Sequence, residues 1–267
     1  MKIVGHCLVK NEERFIWYAI NSVIDFLDEI YVWDTGSTDK TCEIIKSIKS
    51  KKIHFEEKGK CTSKELSKLR NEMIKKTNSD WIFVLDGDEI WHSDAIKEIV
   101  DTIYRYKDTI DLIVSPVKML VGDIYHYQSE EAGRYQLKDR RGHFNIRAIR
   151  NFEGLTIKGI YPNEAYVDKN GTKIQDFPES RMVFAKNYYL HASHLQRSTK
   201  DSKKYKYDLG NKFPLDYYYP EVFFEKRPKF ILSSWLSVNM PYYFFAFLLK
   251  HCKNLYRLFF IGKYYES

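Results

Sequence analysis

Asp86-Gly87-Asp88-Glu89 follows directly on the apolar run Trp81–Leu85. Two carboxylates one residue apart on a short loop suit Mg2+ or Mn2+, hard cations that take oxygen ligands and keep positions open for phosphate. An Asp-x-Asp alone is as readily a solvated turn, with a helix cap such as Ser93 further on; its place at the end of a buried strand gives it weight. A second polar loop, Asp34-Thr35-Gly36-Ser37-Thr38-Asp39, offers hydroxyls, a glycine for a tight turn and a closing carboxylate. Such a loop serves a nucleobase or ribose, or it simply turns the chain and caps the next helix. The sequence has neither a G-x-G-x-x-G dinucleotide loop nor a G-x-x-x-x-G-K-[ST] phosphate loop, which argues against hydride transfer and ATP hydrolysis of those kinds.

These loops need elements to position them. Lys2–Val9 reads as a buried strand. Phe15, Ile16, Ala19, Ile20, Val23, Ile24 and Leu27 recur at helical spacing. Ile30–Trp33 is strand-like, and Thr38 or Asp39 is placed to cap a helix over about residues 40–49. Ile53–Phe55 is a short strand, Leu66, Leu69, Met73 and Ile74 mark a helix, Trp81–Leu85 a strand, and Ile96, Ile99, Val100 and Ile103 a further helix. Alternation of this kind builds an α/β fold around a mainly parallel, Rossmann-like sheet with right-handed crossovers. Ligands in such sheets sit at the carboxyl ends of the strands, so both acidic loops are expected on one edge. After about Asp111 the pattern is less regular. Leu112–Val114, Phe144–Ile149, Lys158–Val167 and Met182–Leu190 read as strands, and Tyr125–Gly142 as a polar, aromatic loop.

Leu8-Val9-Lys10-Asn11-Glu12, then Asp34–Asp39, then Trp81–Glu89 resemble, in order and spacing, the family 2 glycosyltransferases of GT-A fold. The resemblance covers about the first 120 residues well and the rest loosely. It implies a nucleotide-diphospho-sugar donor of UDP or GDP type and an inverting transfer to an acceptor hydroxyl. Val9, Asn11 and Glu12 would line the nucleotide base, Asp39 would contact the base and Asp86 the ribose side, Asp34 and Gly87 would also bind the nucleotide, and Asp88 would hold the metal. Arg70, on the helix before the acidic motif, would reach the nucleotide or else lie on a solvated face. The catalytic base of part of the family is the acid of a His-Glu pair after a basic residue and glycine. Lys158-Gly159-Ile160-Tyr161-Pro162-Asn163-Glu164 resembles that segment with Asn163 in place of His, which makes Glu164 the candidate base, and Glu153 and Asp168 the fallbacks. A downstream histidine often completes the metal shell; His191 is favoured over His194. Arg197 and Lys200, read at the start of a helix, would meet phosphate, whereas Lys203, Lys204 and Lys206 read as a solvated face.

Composition sets the outer bounds. With 44% hydrophobic and 30% charged residues, the chain is of globular type, and its 267 residues allow one large domain. A net charge of +7 suits solubility or a polyanion such as a nucleotide diphosphate or an anionic membrane face. No nucleic-acid-binding module is recognisable. The four cysteines form no CxxC pair, and the first apolar stretch is too short for a signal peptide, so a cytoplasmic location is expected. Residues 1–120 read as the nucleotide-binding half of one domain and 121–225 as its acceptor and catalytic half. Residues 226–267 read as an aromatic-basic segment. Its stretch Ile231–Leu249 carries no charge and is flanked by Lys226, Arg227 and Lys229 before and Lys250, Lys253 and Arg257 after. That suits contact with a membrane surface, a buried helix or a homo-oligomer contact better than a span. The expected function is metal-dependent transfer to a glycan or lipid-linked acceptor, as in lipopolysaccharide or capsule synthesis. The alternatives are a scaffold that keeps the fold without catalysis, and a sugar-nucleotide pyrophosphorylase, whose Gly-rich N-terminal loop is missing here.

Overall fold

Strand β1 (Ile3–Val9) is apolar over nearly its whole length because both its faces are covered. The computed structural model describes residues 1–200, 210–235, 241, 244–249 and 252. Beyond β1 the chain runs through α1 (Ile16–Asn21), β2 (Glu29–Asp34), α2 (Thr41–Ser47), β3 (Ile53–Glu57), α3 (Ser63–Lys76), β4 (Trp81–Val84), β5 (Glu89–Ile90) and α4 (Ser93–Tyr106). The second half is strand-rich: β6 (Leu112–Val121), β7 (Asp123–Tyr127), β8 (Tyr135–Leu137), β9 (Arg140–Gly142), β10 (Phe144–Arg150), β11 (Thr156–Lys158), β12 (Ala165–Val167), β13 (Met182–Phe184), β14 (Tyr189–His194) and β15 (Asn211–Lys212).

The main sheet runs β15-β7-β6-β10-β4-β1-β2-β3, with β13 and β14 pairing β6 and β5 pairing β14. Strands β4, β1, β2 and β3 are parallel neighbours, as the alternation predicts. Strand β10 runs antiparallel between β4 and β6 and joins the two halves. Val9 pairs in register with Asp34, so the loops after β1 and β2 leave the sheet at one level. Large apolar side chains fill the core, among them Trp33, Trp81, Phe83 and Trp91.

Several boundaries differ from the sequence reading. The periodic stretch from Phe15 to Leu27 is regular helix only to Asn21, and continues as turns that still bury Val23, Ile24 and Leu27. Lys158–Val167 is not one strand. It is a hairpin, β11 with β12, around a turn containing a cis Tyr161–Pro162 bond. Met182–Leu190 likewise divides into β13 and the start of β14. The polar stretch Tyr125–Gly142 holds the end of β7 and the β8–β9 hairpin. Arg197 and Lys200 themselves are not helical, and residues 201–209, where the expected helix would continue, lie outside the described residues. Lys203, Lys204 and Lys206 lie outside the described residues, as do Lys250, Lys253 and Arg257.

Candidate active site

The loops after β1 and β2 hold each other. Asn11, at a positive φ of 55°, donates its backbone N–H to Ser37 Oγ (2.8 Å) and accepts from the Thr38 N–H through Oδ1 (2.8 Å). Positive φ is tolerated by asparagine far better than by a branched residue. The Glu12 N–H donates to Thr41 Oγ1. Asp34 accepts the N–H groups of Gly36 and Ser37 through Oδ2 at 2.9 Å, an Asx-type turn. Gly36 has φ +92°, and a Cβ there would lie 2.8 Å from the Lys60 backbone, so this turn requires glycine. Asp39 is committed to the scaffold: Oδ1 accepts from the Thr41 N–H and hydroxyl, and Oδ2 accepts from the Glu13 N–H at 3.4 Å. The residue next to α2 is Lys40, and Asp39 serves that helix from one position further out. Ser93 is likewise not the cap of α4: it is the first helical residue, and its N–H donates to Glu221.

Strand β4 delivers Asp86–Glu89 to the same edge. Gly87 packs on the first loop; a Cβ there would meet Glu12 Cγ at 3.0 Å and Val9 Cγ2 at 3.1 Å. Asp88 is buried. Its Oδ1 lies 3.2 Å from His191 Nε2 and its Oδ2 accepts from Arg197 Nη1 at 3.3 Å. The same Arg197 nitrogen donates to Glu12 Oε1 at 2.6 Å. His191 is carried by β14, where it pairs with Glu89 of β5, and its Nδ1 lies 3.9 Å from Glu89 Oε1. Arg147, on β10, donates through Nη2 to Asp86 Oδ2 (3.1 Å) and to Glu89 Oε1.

The charges shape one another. Burial, with Asp88 beside it, pushes the Glu12 carboxyl up. Burial would raise Asp88 too, but the facing His191 and Arg197 outweigh it and hold that carboxyl below the usual range. Burial would lower His191, and the carboxylate of Asp88 instead lifts it to about 9. Burial pushes fully enclosed Glu89 to about 7 against the pull of Arg147.

Oxygen and imidazole donors of this kind fit Mg2+ or Mn2+. Ligand atoms of Asp86, Glu89 and His191 lie within 4.8 Å of one another, and His191 Nδ1 is buried with no hydrogen-bond partner. The geometry therefore brings together Val9, Asn11, Glu12, Asp34, Gly87, Asp88 and His191, and it adds Glu89, Arg147 and Arg197 around them.

Arg70 and Glu164 form a second group. Arg70 Nε lies 2.8 Å from Glu164 Oε1, and Glu164 Oε2 accepts from Ser67 Oγ at 2.8 Å. The Glu164 side chain is 14% exposed and lines a cleft of about 190 Å³ together with Asp86, Arg147, Tyr135, Tyr166 and Arg70. Arg70 is thus turned to the candidate base. The fallback Asp168 caps its own turn, accepting from the N–H groups of Asn170 and Thr172 through Oδ1.

The sequence reading missed Glu89 and Arg147. Arg147 had a signal: it stands between Ile146 and Ala148 in the buried part of the strand Phe144–Ile149, where an unpaired arginine would be prohibitively costly.

The model of the family described as glycosyl transferase family 2 matches residues 8–162, more than half of the chain. The chain belongs to glycosyl transferase family 2. Within the family it is 32% identical over 122 residues to the SPbeta prophage-derived glycosyltransferase SunS of Bacillus subtilis, across 44% of this chain and 28% of that protein. To an uncharacterized glycosyltransferase of Rickettsia bellii it is 32% identical over 120 residues, across 45% of this chain and 38% of the other. The match thus spans well under half of either relative's length. Among solved structures, S. aureus TarS 1-349 in complex with UDP-GlcNAc has a TM-score of 0.50 at 17% identity, covering 72% of this chain and 58% of that one. That likeness bears out the GT-A fold for this family member.

Proposed function

We propose that this chain is a metal-dependent, inverting glycosyltransferase that moves one sugar from a nucleotide diphosphate to an acceptor hydroxyl. The observation that carries the reading is the meeting, on one sheet edge of a family 2 chain, of Asp86, Asp88, Glu89 and His191 with the loops after β1 and β2. Asp88 and His191, with Asp86 alongside, would hold Mg2+ or Mn2+, which when bound supplies positive charge against the leaving diphosphate. Val9, Asn11, Glu12 and Asp34 bind the nucleoside, and Asp39 acts by fixing the loops. Gly87 lets the acidic motif approach the first loop closely enough to enclose the donor.

Glu164 takes the proton from the acceptor hydroxyl as it attacks. Support comes from its place in the cleft that Asp86 also lines, where an acceptor could face the donor sugar. Ser67 and Arg70 orient its two oxygens, the task that the histidine missing at Asn163 would otherwise share. UDP is the first nucleotide to test, because the TarS structure of this fold holds UDP-GlcNAc. The acceptor is a glycan or lipid-linked saccharide of the cell envelope, reached from the cytoplasmic membrane face.

The test is thermal unfolding of the full chain with UDP, GDP, CDP and dTDP, each with and without Mn2+. A ligand at a hundred times its Kd stabilises the native state by about 2.7 kcal/mol. One nucleotide raising Tm only with Mn2+ is the expected result. No shift with any nucleotide overturns the donor site.

A further inference from the structure

The acidic motif is crossed by a side chain that the donor reading does not use. Arg147 is 7% exposed and Glu89 is fully buried. The guanidinium reaches Asp86 and Glu89 through one nitrogen, while its Nε donates to Tyr189 Oη at 3.0 Å. Tyr189 also accepts from Asn145 Nδ2 at 2.8 Å and stacks on Trp91 with ring centres 4.4 Å apart. Arg147 is therefore fixed by two strands and an aromatic stack; it does not wander as a surface arginine does. Its partners matter as much as its rigidity. Asp86 and Glu89 are the two residues whose ligand atoms cluster with those of His191. The guanidinium thus occupies two carboxylates that could otherwise serve a second divalent ion.

We propose that Arg147 is a built-in cation of the site. It neutralises Glu89, points Asp86 at the donor, and confines exchangeable metal to the Asp88–His191 side. Carboxylates packed this closely need positive charge in a low-dielectric setting. A covalently tethered charge meets half that need without being lost when product leaves. The inference rests on the metal reading above, and its test separates the two.

The experiment counts Mn2+ bound per chain, from the electron paramagnetic resonance signal of free Mn2+ titrated with protein in the absence of nucleotide. Wild type is expected to bind one ion. Arg147→Met is expected to bind a second, or to bind the first at least tenfold more tightly, because Asp86 and Glu89 are released to act as ligands. Arg147→Lys keeps the charge and should stay at one ion. Arg147→Met combined with Glu89→Gln removes the buried pair together, which protects folding, and should also stay at one ion. Arg147→Met decides the matter; should it not fold, Arg147→Gln, also neutral and with Glu89 left in place, is read in its stead with the same expectation. If Arg147→Met folds and binds Mn2+ as wild type does, the proposal fails while the metal reading stands. If only Arg147→Met does not fold and the paired variant gains an ion, the proposal fails as well, since the added ion then owes nothing to Glu89. Mn2+ bound by Arg147→Met and not by wild type supports the built-in cation and overturns metal dependence. No Mn2+ on any folded variant overturns both.

Discussion

His6 lies in the middle of β1 with both faces covered, and its Nε2 is 2.9 Å from Thr77 Oγ1. Burial, with the charge of Arg70 adding to it, lowers the imidazole from 6.5 to about 3. The native state therefore stays unprotonated at this group where the unfolded chain has already taken a proton. Above pH 6.5 both states are neutral and nothing is lost; as pH falls from 6.5 toward 3, stability drops by up to about 1.4 kcal/mol per pH unit from this group. His6→Gln, whose amide can still meet Thr77, should unfold with a shallower pH dependence in urea titrations at pH 7, 6 and 5. Equal slopes for the two proteins would remove His6 from the account.

The site residues divide in the same way between what composition can show and what only the fold can. Asp88→Ala should abolish Mn2+-linked stabilisation by nucleotide, and full transfer activity in that variant would refute its metal role. Glu164→Gln should keep donor binding and lose transfer by at least a hundredfold, the low end for a general base. Asp86, Asp88 and His191 were legible because their types announce their chemistry. The roles of Glu89 and Arg147 were not, since the two meet across 58 steps of chain; Arg197 was read as a phosphate contact, but its pairing with Glu12 across 185 steps was not legible. Asp39 was legible as a loop residue, but not that its oxygens would be spent on Thr41 and Glu13.

At the scale of elements, α3 and the β11–β12 hairpin act together. Ser67, Arg70 and Asn71 fall three and four residues apart, on one face of α3. Asn71 clamps β11 at both ends of its amide: Nδ2 donates to the Ile157 carbonyl at 2.8 Å, and Oδ1 accepts from the Ile157 N–H at 2.7 Å. Ser67 Oγ lies 2.8 Å from the Gly159 carbonyl, in the turn that leads to Glu164. Helix and hairpin thus place the candidate base, while β1, β2 and β4 carry the loops of the proposed donor site. Asn71→Ala should cost about 1–3 kcal/mol of stability, as expected for buried backbone groups left unpaired. It should also lower kcat more than tenfold with little change in Mn2+-dependent nucleotide stabilisation. A proportional loss of donor binding would show that the two halves are not independent. The strand–helix alternation before Asp111 was readable because all its elements but the two-residue β5 are long enough to show a pattern. The hairpin was not, because strands of three residues are set by Asn71 and by the turn rather than by their own pattern.

At the scale of the whole molecule, the described residues include a C-terminal apolar surface that the core does not absorb. Residues 244–249 are helical, with Phe244, Phe245, Phe247, Leu248 and Leu249 exposed and Ala246 buried. No helix among the described residues is long and apolar enough to cross a membrane. Upstream, the segment is tied to the domain: Tyr18 Oη donates to the Leu232 carbonyl at 2.8 Å and accepts from the Ser234 N–H at 3.2 Å. A run of exposed rings at the end of an uncharged stretch that Lys226, Arg227 and Lys229 precede, with further basic residues after it, has the composition of a segment that lies in the headgroup layer of an anionic leaflet. The prediction is that the full chain floats with vesicles containing phosphatidylglycerol and much less with neutral phosphatidylcholine vesicles. Phe244→Ser with Phe247→Ser should abolish flotation without altering nucleotide stabilisation, because neither ring belongs to the donor site. Raising salt should weaken binding only in part: a screening length of about 10 Å at 0.1 M removes the attraction of the lysines and leaves the burial of the rings. Wild type that stays in the bottom fraction at low salt, yet sediments as a dimer that the same double variant dissolves, would assign this surface to a second copy of the chain instead.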